Sequence, residues 1–139
     1  MNKIVNHAQV KKTNNRKVTL KDNKSSKISL QNPAGLDMFL LELDKCTEII
    51  ASKCDHVAHI ENKKTIFIEL KSRNPSKAVE QMQSSLKHFG KSMSEETIFI
   101  VVYKSIPHRT STTLQNEKAR LKKENISFFK IKNGLEYNI

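Results

Sequence analysis

The chain has 139 residues and a formal net charge of +11. That length suits one ordinary domain with room for a buried core. No apolar run approaches the roughly 18 residues that a membrane-spanning helix needs, and residues 1–17 lack the apolar stretch of a secretory signal. We therefore expect a cytoplasmic protein that has no membrane partner.

The positive charge is concentrated near the N-terminus. Residues 1–30 carry eight basic side chains against the single acid Asp22. Such an excess favours a polyanionic partner, above all nucleic acid, although a merely solvated surface is the alternative. We divide the chain into a basic N-terminal arm with a hairpin, residues 1–30, and a single domain, residues 31–139. The eight basic residues are Lys3, Lys11, Lys12, Arg16, Lys17, Lys21, Lys24 and Lys27.

The first half of the chain reads mainly as strands. Residues 17–30 alternate apolar and polar positions around a polar centre, which predicts a hairpin. Residues 32–35, NPAG, mark a break. The pattern of residues 36–46 suits either a strand or a helix, because a short apolar run cannot be resolved by its period alone. HVAHI and TIFIEL predict two strands that are joined by the polar turn 61–64.

The second half alternates helices and strands. Val79, Met82, Leu86 and Phe89 recur at helical spacing, and Gly90 is a suitable C-terminal stop. TIFIVVYK predicts a strand that is buried on both faces, residues 112–125 a charged helix, and ISFFKIK a last strand. This order predicts an α/β fold with a mixed central sheet flanked by helices.

Three charged residues lie at the ends of the two adjacent predicted strands. Asp55 starts the first strand, and Glu69 ends the second, followed by Leu70 and Lys71. If the strands pair as an antiparallel hairpin, these residues converge at one end of the sheet. Side chains alternate along a strand, so Glu69 and Lys71 point to one face and Leu70 to the other.

This grouping suits metal-assisted hydrolysis of a phosphodiester. Two neighbouring carboxylates repel each other, and a divalent cation such as Mg²⁺ or Mn²⁺ removes the conflict. Asp55 and Glu69 supply carboxylate ligands, and the backbone carbonyl of Leu70 supplies a third oxygen. Lys71 is placed to orient or deprotonate a water, or to stabilise charge on the phosphate.

The pattern Cys54-Asp55, thirteen residues, then Glu-Leu-Lys, followed by a helix with Gln81, resembles the PD-(D/E)XK nuclease superfamily. The similarity covers residues 36–132 by order of elements, and it implies a restriction-endonuclease-like core. It also implies that Asp55 and Glu69 bind the metal, that Lys71 acts in catalysis and that Gln81 lies near the attacking water. Cys54 stands where the superfamily pattern has Pro.

A further acid upstream often completes the metal site in this superfamily. Glu42, Asp44 and Glu48 are the candidates. We favour Glu48, because it lies in the segment that leads directly into the strand of Asp55.

Basic residues near the predicted site are candidates for contacts with phosphates. Lys104, His108 and Arg109 follow the buried strand TIFIVVY in a loop, for which a solvated surface is the alternative. Lys53, Arg16 and Lys17 complete the expected nucleic-acid-binding set. His56 and His59 fall on opposite strand faces, so the pattern does not predict a histidine pair for a metal.

Two functions follow, from different classes. The first is a metal-dependent nuclease, with an endonuclease favoured over an exonuclease and DNA favoured over RNA as the substrate. The second is a catalytically weak or inactive basic subunit on the same fold that binds nucleic acid or joins a complex. A weaker third option is an interaction protein for an acidic partner. The sequence leaves open whether a homodimer or a partner protein is involved.

Overall fold

The computed structural model describes residues 3–22, 26–46, 52–70, 75–92, 94–103 and 111–139. Within these ranges the predicted mixed α/β class is confirmed, with two helices against a mixed sheet. In this part of the chain no helix is long and apolar enough to cross a membrane.

Nine strands form two sheets in the described ranges. The larger has six strands in the order β1-β4-β5-β6-β7-β8, and the smaller has the order β2-β3-β9. The pairs β1–β4, β4–β5 and β5–β6 are antiparallel, whereas the pairs β6–β7 and β7–β8 are parallel. The strands are β1 Lys11–Thr13, β2 Lys17–Lys21, β3 Lys27–Gln31, β4 Met38–Glu42, β5 His56–Ile60, β6 Lys64–Glu69, β7 Glu96–Tyr103, β8 Ile126–Lys132 and β9 Glu136–Asn138.

The two helices, α1 Pro75–Phe89 and α2 Ser111–Lys123, cover one face of the larger sheet. Each connects two neighbouring parallel strands, as a crossover helix does. Val79 and Met82 of α1 and Leu121 of α2 are buried against Phe67 and Phe99 of the sheet. The rings of Phe67 and Phe99 meet edge to face, with centroids 5.7 Å apart.

The smaller sheet covers the opposite face. Ile28 and Leu30 of β3 are fully buried against Ile66, Ile98 and Ile100 of the larger sheet. Strands β6 and β7 are therefore covered on both faces, which explains why TIFIVVY is continuously apolar.

Most predicted elements are confirmed. The structure also decides between strand and helix for residues 36–46, whose pattern suits either. The predicted hairpins appear as β2–β3 and β5–β6. Residues 38–42 form a strand rather than a helix, because β4 pairs on both sides, with β1 and β5. Helix α1 ends at Phe89, and Gly90 follows with φ 87° while its N–H bonds to the carbonyl of Leu86 at 2.7 Å.

Two strands lie where the sequence pattern predicts none. Strand β1 places part of the predicted N-terminal arm in the larger sheet, where the ammonium of Lys12 lies 5.7 Å from the ring centroid of Phe39. Ile4, further upstream, is buried in the helix-side core. Strand β9 runs parallel to β3, and its Tyr137 packs on Phe129.

Candidate active site

The β5–β6 hairpin brings Asp55 and Glu69 together. His56 pairs with Ile68 at the end of the ladder, so the same register places Asp55 opposite Glu69. The N–H of Asp55 donates to the carbonyl of Ile68 at 3.1 Å. In return, Oδ2 of Asp55 accepts the N–H of Leu70 at 2.7 Å. The predicted convergence of the two acids at one end of the sheet is therefore confirmed.

The Glu69 side chain is buried, with 7% of its surface exposed. The pKa of Glu69 is raised to about 9, chiefly by burial and then by the hydrogen bond with the Asp55 carboxyl and the charges of Asp55 and Asp44. Glu69 therefore carries a proton at neutral pH when no cation is bound. The N–H of Leu70, directed at Oδ2, holds the Asp55 carboxyl of the same pair in place.

Asp44 lies near this pair. It belongs to a short 3₁₀ turn, Leu43–Lys45, that follows β4 and is anchored by a 2.9 Å bond from the N–H of Leu43 to the carbonyl of Asp55. Burial raises the pKa of Asp44, and the charge of Asp55 raises it further. Asp44 is thus electrostatically linked to both Asp55 and Glu69.

The two other upstream acids differ in position. Glu42 pairs with His56 in the ladder, and its carboxylate lies 3.3 Å from the ammonium of Lys45. Glu48, which the sequence favoured, lies outside the described residues. Its role as a ligand stays a prediction.

The donor set fits a hard divalent cation that keeps most of its water. No group of three or more His, Cys, Asp or Glu side chains within the described ranges is arranged to hold a metal ion. Mg²⁺, however, is commonly held by only one or two carboxylates, with waters and substrate phosphate filling the other positions. Asp55 and Glu69 are two carboxyl groups that could hold such a cation, which would have to displace the proton that Glu69 carries.

Helix α1 is fastened to the strand of Asp55 through Ser85. The buried hydroxyl of Ser85 accepts the N–H of Cys54 at 3.0 Å and donates to the carbonyl of Gln81 at 3.0 Å. A proline at position 54 would have no N–H to donate, so this bond requires another residue there. Ser85 was not predicted from the sequence. A polar residue within the apolar stripe of α1 was the available signal.

The Cys54 thiol is poorly suited to nucleophilic attack at neutral pH. Its thiol is fully buried, and burial raises its pKa to about 12. The thiolate needed for nucleophilic attack is therefore scarce. Gln81, one helical turn before Ser85, is half-buried. Its predicted place near the attacking water stays a prediction.

The predicted nucleic-acid-binding residues divide into two groups. Arg16 and Lys17 are exposed around the start of β2, and Lys53 is half-buried and donates to the carbonyl of Cys46 at 3.1 Å. The other group lies outside the described residues and consists of Lys104, His108 and Arg109. The predicted catalytic lysine, Lys71, also lies outside them.

Leu70 and the two histidines take the faces that strand alternation predicts. Leu70 packs in the core on the side of the smaller sheet; its carbonyl as a metal ligand stays a prediction. His56 is buried, and its burial lowers its pKa. His59, on the other face, shares a 2.7 Å hydrogen bond between its Nδ1 and Oγ1 of Thr65.

No protein-family model matches the chain, and neither a curated protein nor a solved structure matches it. The chemistry of the site therefore carries the functional proposal.

Proposed function

We propose that the protein is a metal-dependent nuclease that hydrolyses phosphodiester bonds in nucleic acid, with DNA favoured. The observation that carries this proposal is the pair of Asp55 and Glu69, which the hairpin holds in contact at a buried strand end. Burying two acids together costs free energy unless they are compensated. Such a cost is typical of a site that is built to bind a cation.

The residues of the site have separate roles. Asp55 and Glu69, with the carbonyl of Leu70, hold Mg²⁺ or Mn²⁺. When bound, the metal supplies positive charge that polarises the phosphate and lowers the pKa of water. Lys71 orients or deprotonates the attacking water, and Gln81 lies near that water and helps to position it. Asp44 adds negative charge beside the pair and so strengthens cation binding.

The topology supports a restriction-endonuclease-like core. Strands β4, β5 and β6 form an antiparallel meander, and α1 then crosses to β7, which runs parallel to β6. The acids lie at the end of β6 from which the chain leaves toward α1. This is the order of elements that the resemblance implies for residues 36–132.

The charge of the surface supports a nucleic-acid substrate. The chain carries 25 Lys and Arg against 14 Asp and Glu. Exposed cations lie on several elements, including Lys11, Lys17 and Lys21 of the N-terminal region and Lys118, Lys122 and Lys123 of α2. Clustered basic residues supply the salt-dependent, sequence-independent part of nucleic-acid affinity.

The direct test is cleavage of end-labelled duplex, single-stranded and branched DNA and RNA, each with Mg²⁺, Mn²⁺ or EDTA. Wild type is compared with Asp55→Asn, Glu69→Gln and Lys71→Met. Glu96→Gln is the matched control, because Glu96 is exposed and pairs with Lys64 at the opposite end of β6. We expect metal-dependent cutting that the first three variants lose by at least about 100-fold and that Glu96→Gln retains.

A binding subunit with little or no catalysis is the second candidate. It is favoured by one observation, namely that the described ranges contain no group of three side-chain ligands. In the same experiment, this function predicts tight nucleic-acid binding with no cutting under any metal, and equal binding by wild type and Glu69→Gln.

A further inference from the structure

The smaller sheet has an outer face that is directed away from the larger sheet. Apolar residues of β2, β3 and β9 alternate into the core between the two sheets, so the intervening side chains point outward. The outward residues include three lysines and one acid, and all four of these are exposed. The outer face consists of Lys17, Thr19, Lys21, Lys27, Ser29, Gln31, Glu136 and Asn138. It is therefore a basic surface made of polar side chains.

Two of the lysines lie directly opposite each other. Lys21 of β2 pairs with Lys27 of β3 in the antiparallel ladder, and like charges in such a position destabilise a sheet. Neither ammonium group makes an ion pair with another residue in the described ranges. Within those ranges the repulsion therefore has no counter-charge at contact distance, whereas a bound anion would remove it.

Protection of a sheet edge explains only part of this pattern. Lysines on an edge strand often serve to prevent association with another chain. Strand β2 is an edge of the smaller sheet, so this reason is sufficient for Lys17 and Lys21. It does not apply to Lys27, because β3 is the central strand and is bonded to β2 and β9.

The pair of lysines lies at the same end of the molecule as the candidate active site. The N–H of Lys27 donates to Oδ1 of Asn133 at 2.7 Å, and the N–H of Asn133 donates to the carbonyl of Tyr103 at 2.7 Å. Tyr103 is the last residue of β7, two positions beyond Val101, which pairs with Glu69. The outer face thus begins at the end of the sheets where the acids lie.

The acids and the lysines nevertheless face in opposite directions. Side chains alternate along β6, so Glu69 shares the helix side of the larger sheet with Phe67. The lysines lie beyond the smaller sheet, and stacked sheets are about 10 Å apart. A polymer that is held at the acids therefore reaches the lysines with a different segment.

We propose that the outer face of the smaller sheet binds the phosphate backbone of a nucleic-acid duplex. The ammonium groups of Lys21 and Lys27 contact phosphates near the active-site end, and that of Lys17 contacts a phosphate at the other end. Oγ1 of Thr19 lies between them, 3.2 Å from Oγ of Ser29, and hydroxyl groups are common partners of phosphate oxygens. The inference rests on the proposed function for its partner and adds a binding surface separate from the acids.

The side chains of the outer face favour a duplex over a single strand or a membrane. None of the eight described residues of this face is aromatic or aliphatic. Proteins that bind single strands stack the bases on aromatic rings, and interfacial membrane segments insert apolar side chains. Lysines and hydroxyls instead suit the regular phosphates of a duplex, whose backbone carries most protein contacts.

The test is binding of a fluorescent blunt duplex, measured by anisotropy in EDTA so that no cutting occurs. Replacing both Lys21 and Lys27 by Gln should reduce the slope of log K against log salt by about 1.8, since each phosphate contact on a duplex contributes about 0.9. The loss should be equal for duplexes of different sequence. Replacing both Lys122 and Lys123 by Gln is the matched control, because it removes two exposed charges from α2. Its slope should change less.

The stability of the free protein provides a second readout. Lys27→Gln removes the repulsion from Lys21, so it should raise Tm by about 1–5 °C at low salt. The gain should shrink as salt screens the charges. Lys122→Gln should change Tm less. Weaker binding by a variant at least as stable as wild type is not a result of unfolding.

Two results would overturn the inference. One is a salt slope that falls no more when Lys21 and Lys27 are replaced than when Lys122 and Lys123 are. The other is unchanged duplex affinity of the first variant together with weaker binding to vesicles of anionic phospholipid, which would make the outer face a membrane contact.

The fate of the nuclease proposal is read separately, in Mg²⁺. Replacing Lys21 and Lys27 should raise the KM for duplex and leave kcat unchanged, because these lysines do not contact the bond that is cut. Metal-dependent cutting by wild type with binding that does not depend on the two lysines rejects only the surface. Binding that depends on them, without metal-dependent cutting by wild type, rejects only the nuclease.

Discussion

The N–H of Leu70 donates a 2.7 Å hydrogen bond to Oδ2 of Asp55. This bond joins the start of β5 to the end of β6 through a side chain, beyond the last pair of the ladder. It leaves the other oxygen of Asp55 available to Glu69 or to a cation. The carboxyl pair is thus fixed by backbone geometry before any ligand binds, as a preorganised site requires.

The raised pKa of Glu69 predicts how stability depends on pH. The folded state holds the proton of Glu69 more tightly than the unfolded state, where a Glu has a pKa of about 4.3. The contribution of this group is therefore fully present below that value and is lost as pH rises through about 9. In EDTA, we expect Glu69→Gln to unfold like wild type near pH 5 and to be more stable by about 1–3 kcal/mol near pH 9.

Urea unfolding at pH 5, 7 and 9 measures this difference. Glu96→Gln provides the control, because Glu96 is exposed. The free energy of unfolding of this variant should change with pH as that of wild type does. If the free energies of unfolding of wild type and Glu69→Gln change equally with pH, Glu69 is not protonated in the folded protein.

Mg²⁺ or Mn²⁺ should stabilise the folded protein. A ligand present at ten times its dissociation constant adds about 1.4 kcal/mol. We expect the gain to be larger at pH 8 than at pH 5.5, because metal binding must displace the proton of Glu69. Thermal unfolding with and without metal tests this expectation. The gain should vanish in Asp55→Asn and Glu69→Gln and persist in Glu96→Gln; a gain that survives in all three would locate the metal elsewhere.

Asp44 should influence Glu69 through its charge. Because the charges of Asp55 and Asp44 both raise the pKa of Glu69, Asp44→Asn should lower it, and Asp55→Asn should lower it more. Carboxyl ¹³C chemical shifts followed against pH report the titration directly. Glu42→Gln is the control and should leave the pKa of Glu69 unchanged, since the Glu42 carboxylate lies against Lys45. If the pKa of Glu69 does not change in Asp44→Asn, the charge of Asp44 does not act on the site.

Ser85 should act as a positioning residue. In Ser85→Ala the N–H of Cys54 loses its acceptor in a buried environment, which should cost about 1–3 kcal/mol of stability. Because Asp55 follows Cys54, we also expect kcat to fall while substrate KM changes little. Ser84→Ala, at the neighbouring half-buried position, is the matched variant. If both variants lose stability but retain kcat, Ser85 has only a structural role.

The hairpin that carries the site was predictable because its signals are local. Alternation in HVAHI and TIFIEL with a short polar turn sets the register, and the register alone brings Asp55 opposite Glu69. Asn62, with φ 62°, takes the left-handed conformation that such a turn needs and that Asn tolerates. The buried position of Glu69 followed from the apolar residues before it.

Other features depend on contacts between distant parts of the chain. Strand β1 has the sequence KKT, which carries no apolar alternation, and it forms because the edge of β4 offers backbone partners. The bond between Ser85 and Cys54 joins residues 31 positions apart. Phe129 is exposed because its strand, β8, lies at the edge of the larger sheet, and the packing of its ring on Tyr137 joins β8 to β9. None of these contacts is encoded in a local period or motif.

The measurement that tests the central claim most directly is single-turnover cleavage of a labelled single-stranded and a labelled duplex DNA across a Mg²⁺ titration. Wild type, Glu69→Gln and Glu96→Gln are compared at equal protein concentration. The proposed site predicts a rate that rises and saturates with Mg²⁺ for wild type and Glu96→Gln and stays at background for Glu69→Gln. Equal rates for wild type and Glu69→Gln would contradict it.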